Sequence, residues 1–417
     1  MEKYVINGGR KLSGKLRVSS AKNSVLPMLA GAILTDERVV IKDCPKILDV
    51  FSMIKILNVL GVKTEFCGND LVVDSKNIND YVISASLGKE LRSSIFMMGA
   101  LLSRMKRAEL SHPGGCDIGA RPVDIHLNAL KELGVIILEE NGEIKCYAEK
   151  MRGRVIHFNF PSVGATENVM LASVLAEGKT EIHNPAKEPE IVDLMNFLNS
   201  MGGKVYGAGT STILIEGVKK LSGTTYTPIP DRIEAGTFLL SAVITGGEIE
   251  LSNCNAKNIW SLIHKLCDNT CKVTIKNDII YVKSGNERKS FSFSTGPFPY
   301  FSTDLQAQTM ALLSVSKGES QVTENIFEFR YRHVDELIKM GADIKVKGRT
   351  AYIKGVERLN GAQVLAEDLR GGASLVLAGL NASGTTVVEN VRHIKRGYTE
   401  MDEKLRFLGA DIKTIYD

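Results

Sequence analysis

Cys116 sits in the segment Pro113-Gly114-Gly115-Cys116-Asp117-Ile118-Gly119-Ala120-Arg121-Pro122, one thiol among three glycines and two prolines. Arg121 follows it by five residues, and a helical run opens at Val123. Glycine takes unusual backbone angles at no steric cost and proline resists regular structure, so the sequence predicts a loop that can move. A thiol beside an arginine and a helix N-terminus favours the thiolate, which suits a nucleophile or a tuned acid. The loop does not fit a nucleotide-triphosphate cradle, because Ala120-Arg121 stands where Lys-Ser/Thr would have to follow.

A second set of residues gathers at expected helix starts: Lys22-Asn23, Arg92, Ser162-Val163-Gly164, Asp231-Arg232, Asp304 and Asp368-Leu369-Arg370. Taken singly, an Asp or Ser in such a place reads first as an N-cap. The cations do not. Lys22, Arg92, Arg121, Arg330, Arg370 and Arg396 all stand at or near an element boundary. A cation at a helix N-terminus is unfavourable unless an anion is near. Several converging on one place read as a site for a multiply charged anion, with guanidinium forks for carboxylate or phosphate.

The elements that must hold these residues repeat. Helical text ending in a Leu/Met-Gly step, then two short strands, occurs at 54–74, 129–147, 193–216, 335–354 and 403–415; a further copy at 261–283 lacks the glycine. Each copy follows a strand, a small-residue helix and another short strand, so the unit is βαβαββ with a period of roughly 70 residues. In the first such helix Leu26, Leu29, Ala30, Ile33 and Leu34 fall at helical spacing and read as core. Six units predict an α/β fold of two domains with three units each, helices buried and sheets outside. The Thr- and Pro-bearing stretch 223–230 is the expected linker.

Composition fits that picture. A 417-residue chain is long for one core, and 44% hydrophobic with 24% charged residues is ordinary for a globular protein. A net charge of +4 is too weak to argue for nucleic acid, and 6% aromatics argue against stacking platforms for single strands, so no nucleic-acid partner is expected. No apolar stretch approaches the ~20 residues needed to span a bilayer, and the N-terminus carries no signal-peptide pattern. A cytoplasmic location is expected. The seven cysteines are scattered and odd in number, so no disulfide framework is expected; Cys267 and Cys271 read as structural thiols rather than metal ligands.

Motifs along almost the whole chain resemble the UDP-N-acetylglucosamine enolpyruvyl transferase family, within the EPSP synthase superfamily. They are SAKNSVLP at 20–27, PGGCDIGARPVDIHL at 113–127, PSVGATEN at 161–168, PDRIEAGTF at 230–238, STDLQAQ at 302–308, IFEFRYRH at 326–333, EDLRGGASLVLAGL at 367–380 and RGYTEMDEKLRFLGADI at 396–412. The resemblance implies a two-domain inside-out α/β barrel with one discontinuous domain, residues 1–20 plus 231–417, and a second at 21–230 carrying the mobile loop 112–122. It implies transfer of the enolpyruvyl group of phosphoenolpyruvate to the 3-hydroxyl of UDP-N-acetylglucosamine, releasing phosphate, the first committed step of peptidoglycan synthesis. Cys116 then matches the acid that protonates C3 and can carry an adduct, and Asp304 the base. Lys22, Asn23, Arg121 and Arg396 match groups around the phosphoenolpyruvate phosphate, and Arg330 and Arg370 groups near its carboxylate. Asn23, Arg92, Arg121, Pro122, Val123, Asp124, Ile125, Ser162, Val163, Gly164, Asp304 and Ile326 match the sugar-nucleotide site. Neither cofactor nor metal is implied, and a monomer is the expectation. Two positions depart from the family pattern: Phe96 stands where Trp is frequent, and Phe160-Pro161 replaces a basic residue before the Ser162 turn. The rival readings are the shikimate-pathway enolpyruvyl transferase, which lacks this PGGC loop, and a non-catalytic UDP-N-acetylglucosamine-binding paralogue.

Overall fold

The computed structural model describes residues 2–90, 92–111, 123–140 and 142–416, and of Lys89, Glu90, Arg92, Ser93 and Asn269 the backbone only. Cys116, Arg121 and Pro122 therefore lie outside the described residues.

Among the described residues, six four-stranded sheets share one plan. In the sheet of the third repeat, Val155–His157 runs parallel to Lys179–His183, which pairs antiparallel with Thr212–Glu216, which in turn pairs antiparallel with Val205–Tyr206. The parallel pair needs a crossover, supplied by the helix Val163–Ser173; the antiparallel pairs need only turns. The same order recurs in the other five. Two compact units result: residues 2–19 with 230–416, and residues 20–111 with 123–229. Each has its own core, one built from Tyr4 to Ile412 across both of its segments, the other from Val25 to Leu221.

Three strands reach their sheets from outside their own repeat. Glu2–Asn7 pairs antiparallel with both Thr385–Glu389 and Asp411–Tyr416, with Tyr4 opposite Val388 and Thr414. Ser13–Arg17 runs parallel to Glu248–Ser252. Within the expected linker, Thr224–Tyr226 is itself a strand, parallel to Val39–Ile41. The Thr and Tyr side chains there suit a pleated surface better than the proline count suggested, and the ladder fills the open edge of Val39–Ile41.

The first helix of each repeat (Lys22–Gly31, Phe96–Met105, Val163–Ser173, Arg232–Ile244, Gln306–Leu313 and Leu369–Asn381) is buried over most of its length. Their small and mostly apolar residues leave no solvent face, so they lie inside. The second helices end where the Leu/Met-Gly steps predicted: Gly61, Gly134, Gly202, Gly341 and Gly409 take φ between +89° and +99°, the left-handed cap that glycine tolerates. In the copy without glycine, Thr270 closes the helix Trp260–Asn269 at φ −135° instead.

Candidate functional site

The helix starts of the unit formed by residues 2–19 and 230–416 carry a dense polar cluster. Asp231 caps Arg232–Ile244, its Oδ1 accepting from the backbone N–H of Ile233 (2.8 Å) and Glu234 (2.9 Å). Asp368 caps Leu369–Asn381 in the same way, accepting from Arg370 (2.9 Å) and Gly371 (3.0 Å). Asp304 does something else. At its helix start Ser302 is the cap, its hydroxyl oxygen accepting from the Asp304 N–H at 3.3 Å. The Asp304 carboxylate is thereby left to side chains, and two arginines take it: Arg330 Nη2 lies 2.7 Å from Oδ1 and Arg370 Nη2 3.1 Å from Oδ2.

Both guanidinium groups are almost wholly buried, whereas Asp304 keeps 26% of its side chain exposed. Burial alone would push the Asp304 carboxyl up; the charges of Arg370, Arg330 and Arg232 outweigh it and hold the group far below the usual carboxylate range. The pair does not use up its donors. Arg330 Nε and Arg370 Nη1 are buried without a hydrogen-bond partner among the described residues. A buried donor left unmet costs stability, so these two mark a place for an acceptor.

Supporting contacts hold the cluster. Glu324, fully buried, accepts from the N–H of Ile326 (2.8 Å) and Phe327 (3.1 Å) through one oxygen and from the Thr303 hydroxyl (3.0 Å) through the other. It thus ties the Ile326 turn to the residue before Asp304. Arg330 also reaches the Thr303 carbonyl at 3.3 Å and lies 5.6 Å from the Phe327 ring. Arg396 closes the turn of helix Arg392–Lys395. Ser302 and Glu324 were missed by sequence reasoning. The Ser-x-Asp spacing in STDLQAQ was a usable signal for the first; nothing local marked the second.

The unit formed by residues 20–111 and 123–229 holds the remaining described candidates. Lys22 is the first residue of its helix, preceded by Ala21, which offers no side-chain cap. Its ammonium lies 2.7 Å from Asp49 Oδ2, both side chains largely buried. Asn23 beside it is half-buried. Arg92 lies in a 3-10 turn leading into Phe96–Met105. Val123, Asp124 and Ile125 open the helix Asp124–Glu132, with the acidic residue in its first turn. Ser162 caps Val163–Ser173, accepting from Ala165 N–H at 3.3 Å.

Gly164 is closely packed there: a Cβ would fall 3.1 Å from His126 Cε1 and 3.3 Å from Phe96 Cε1. Phe96 is thus part of the wall behind the Ser162-Val163-Gly164 turn. His126 is buried and its Nδ1 lies 3.2 Å from the amide nitrogen of Asn168, which donates as well to the Ile95 carbonyl. One turn along the same helix, Glu167 is fully buried, and burial with the neighbouring charges of Glu190 and Glu188 pushes its carboxyl well up. No helix is long and apolar enough to cross a membrane, among the described residues.

Comparison with known proteins gives these helix ends a family. A family model described as EPSP synthase (3-phosphoshikimate 1-carboxyvinyltransferase) matches residues 6–405. The chain is 52% identical over 416 residues to UDP-N-acetylglucosamine 1-carboxyvinyltransferase 2 of Caldanaerobacter subterraneus subsp. tengcongensis, covering 100% of both chains. It is 46% identical over 424 residues to UDP-N-acetylglucosamine 1-carboxyvinyltransferase 1 of Clostridium perfringens, again covering 100% of each. Among solved structures it resembles the enolpyruvyl transferase NikO from Streptomyces tendae, with TM-score 0.88 at 25% identity over 99% of this chain and 98% of that one. It shares the fold of EPSP synthase from Acinetobacter baumannii, with TM-score 0.75 at 18% identity over the full length of both.

Proposed function

The chain belongs to the EPSP synthase family, and from that premise we propose that it is a UDP-N-acetylglucosamine 1-carboxyvinyltransferase, transferring the enolpyruvyl group of phosphoenolpyruvate to the sugar 3-hydroxyl in peptidoglycan synthesis. Full-length identity of 52% to a protein of that name favours this substrate over shikimate, since the shikimate enzymes share the fold at 18% identity. The observation that carries the residue assignment is the Asp304 carboxylate, released from capping and set between two buried arginines with donors to spare.

The reaction is an addition followed by an elimination. The sugar hydroxyl oxygen bonds to C2 of phosphoenolpyruvate, losing its proton to Asp304, while Cys116 gives a proton to C3. A proton then leaves C3 as the C2–O bond to phosphate breaks, and the enol ether and phosphate are released. Acid and base must act on opposite sides of the double bond, so two separate groups are required. Lys22, Arg121 and Arg396 hold the phosphate, and fixed cations stabilise the developing charge without reorganising. The sugar nucleotide is held by Asn23, Arg92, Arg121 to Ile125, Ser162 to Gly164, Asp304 and Ile326. We take residues 21–230 as the domain that carries the Cys116 loop and residues 1–20 with 231–417 as the other. The cytoplasm is the compartment in which this reaction runs, and the protein acts as a monomer.

Arg330 and Arg370 explain how so weak a base can serve. With both guanidiniums on it, Asp304 is a poor proton acceptor. The carboxylate of phosphoenolpyruvate fits the spare donors Arg330 Nε and Arg370 Nη1, and its negative charge beside Asp304 lifts the basicity of that carboxyl. The base thus strengthens only when the second substrate is in place.

Phosphate release from phosphoenolpyruvate that depends on UDP-N-acetylglucosamine tests the reading; release with shikimate 3-phosphate instead, or none with either acceptor, overturns it. Cys116→Ala is expected to lose nearly all turnover while still binding the sugar nucleotide in calorimetry, and near-normal turnover would remove Cys116 from the mechanism. Cys116→Asp keeps part of the activity, because a carboxylic acid also donates a proton. A small phosphonate epoxide should alkylate Cys116 in the wild type, checked by mass spectrometry of the modified peptide.

A further inference from the structure

Tyr398 is buried to 2% exposure, and its hydroxyl sits where three elements meet. Thr237 Oγ1 lies 2.9 Å from it and Gln308 Nε2 3.0 Å. Gln308 Nε2 also donates to Thr237 Oγ1 at 3.2 Å and to the backbone carbonyl of Asp304 at 2.9 Å. The Arg370 guanidinium lies 5.3 Å from the Tyr398 ring centroid.

The proton directions follow from what each group can do. Thr237 gives its hydroxyl proton to the Ile233 carbonyl at 2.8 Å, so toward Tyr398 it can only accept. Tyr398 therefore donates to Thr237, and its oxygen accepts from Gln308. The Gln308 amide is fixed in turn, because the Asp304 carbonyl can only accept and so must face nitrogen. The phenol oxygen thereby accepts from the amide that holds the Asp304 backbone, while its ring lies against the cation that grips Asp304. The Tyr398 N–H bonds the Ile394 carbonyl at 3.1 Å, which anchors the turn that carries Arg396 two residues earlier.

We propose that Tyr398 is a positioning residue for enolpyruvyl transfer: its buried hydroxyl, with Gln308 and Thr237, sets Asp304, Arg370 and the Arg396 turn in one mutual geometry. The proposal rests on the enolpyruvyl-transferase reading above and goes beyond it. The phenol touches no substrate; it acts through groups that do. Small displacements of such groups cost rate steeply, because the reacting atoms must meet within a few tenths of an ångström.

Tyr398→Phe removes only the oxygen and leaves the ring beneath Arg370. In steady-state phosphate-release assays kcat is expected to fall roughly 10- to 100-fold. The KM for phosphoenolpyruvate should rise and that for UDP-N-acetylglucosamine should stay near wild type, since the phenol lies beside the arginines assigned to the former. Tyr226→Phe is the control. It also deletes a partly buried phenol, one that donates to Asp193 Oδ1 at 2.7 Å in the other unit, and should cost a comparable amount of thermal stability with kcat unchanged. Thr237→Val, which removes the acceptor of the Tyr398 proton, should lower kcat in the same direction by less and covers the case in which Tyr398→Phe does not fold. A folded Tyr398→Phe with wild-type kcat overturns the proposal, as does an equal kcat loss in Tyr226→Phe. Absence of phosphate release in the wild type would instead overturn the functional reading, so the two failures are distinguishable.

Discussion

Asp304 and Glu167 are both carboxyls near the start of a buried first helix, one in each unit, and they live in opposite electrostatic worlds. Asp304 faces Arg330 and Arg370 and is held ionised far below its usual range. Glu167 faces Glu190 and Glu188, with one of its own oxygens buried and without a hydrogen-bond partner among the described residues, and burial with those charges pushes its carboxyl well above that range. The local chain does not distinguish them, since each follows a serine near a helix start. What differs is which distant segments fold against them. The same contrast runs among the aspartates of a single unit: Asp231 and Asp368 each give one oxygen to two backbone N–H groups, while Ser302 relieves Asp304 of that duty.

The sharpest way to break the comparison is to remove charge at nearly constant shape. Asp304→Asn is expected to lower kcat by roughly 10²-fold or more, the scale for losing a general base, with a smaller change in the KM for UDP-N-acetylglucosamine. If kcat stayed within a few-fold of wild type in a folded variant, Asp304 would hold the arginines and do nothing more. The same substitution strands two buried guanidiniums, so its melting temperature should drop, by about 1–3 kcal/mol of stability after discount for the exposed quarter of Asp304. Added phosphate or phosphoenolpyruvate should restore more of that loss than it adds to the wild type; no such difference would show that the two arginines do not form an anion site.

Proton linkage gives the two carboxyls opposite signs. The folded value of Asp304 is depressed, so its contribution is fully present above the unfolded value near 4 and is lost as pH falls below it. The folded value of Glu167 is raised, so the protein loses stability as pH climbs above about 4.5 toward that higher value. Glu167→Gln should therefore flatten the decline of Tm with rising pH, melting above wild type in alkali and near it in acid. A melt profile parallel to wild type across that range would mean that Glu167 ionises freely. The smallest effect is reserved for the caps. Asp231→Ala should cost about 1 kcal/mol by chemical denaturation, and Asp231→Asn only a few tenths, because a neutral amide oxygen caps as well as a carboxylate. Equal losses for the two would mean that the charge of Asp231, and not only its acceptor, is used.

Much of this was legible in the chain itself. The Leu/Met-Gly steps named five helix ends, the small-residue helices named the core, and the motifs named a family, because capping, periodicity and close packing act between residues three or four apart. Tertiary structure alone decided the rest. It brought Arg330 and Arg370, 26 and 66 residues from Asp304, onto its two oxygens, and set Tyr398 against Gln308 from 90 residues away. It also sent residues 2–17 into sheets completed by strands more than 200 residues later. Whether an aspartate is a cap or a base depends on the field that those distant groups create. Such a field is a sum over positions in space, and neighbours in sequence supply only a small part of it.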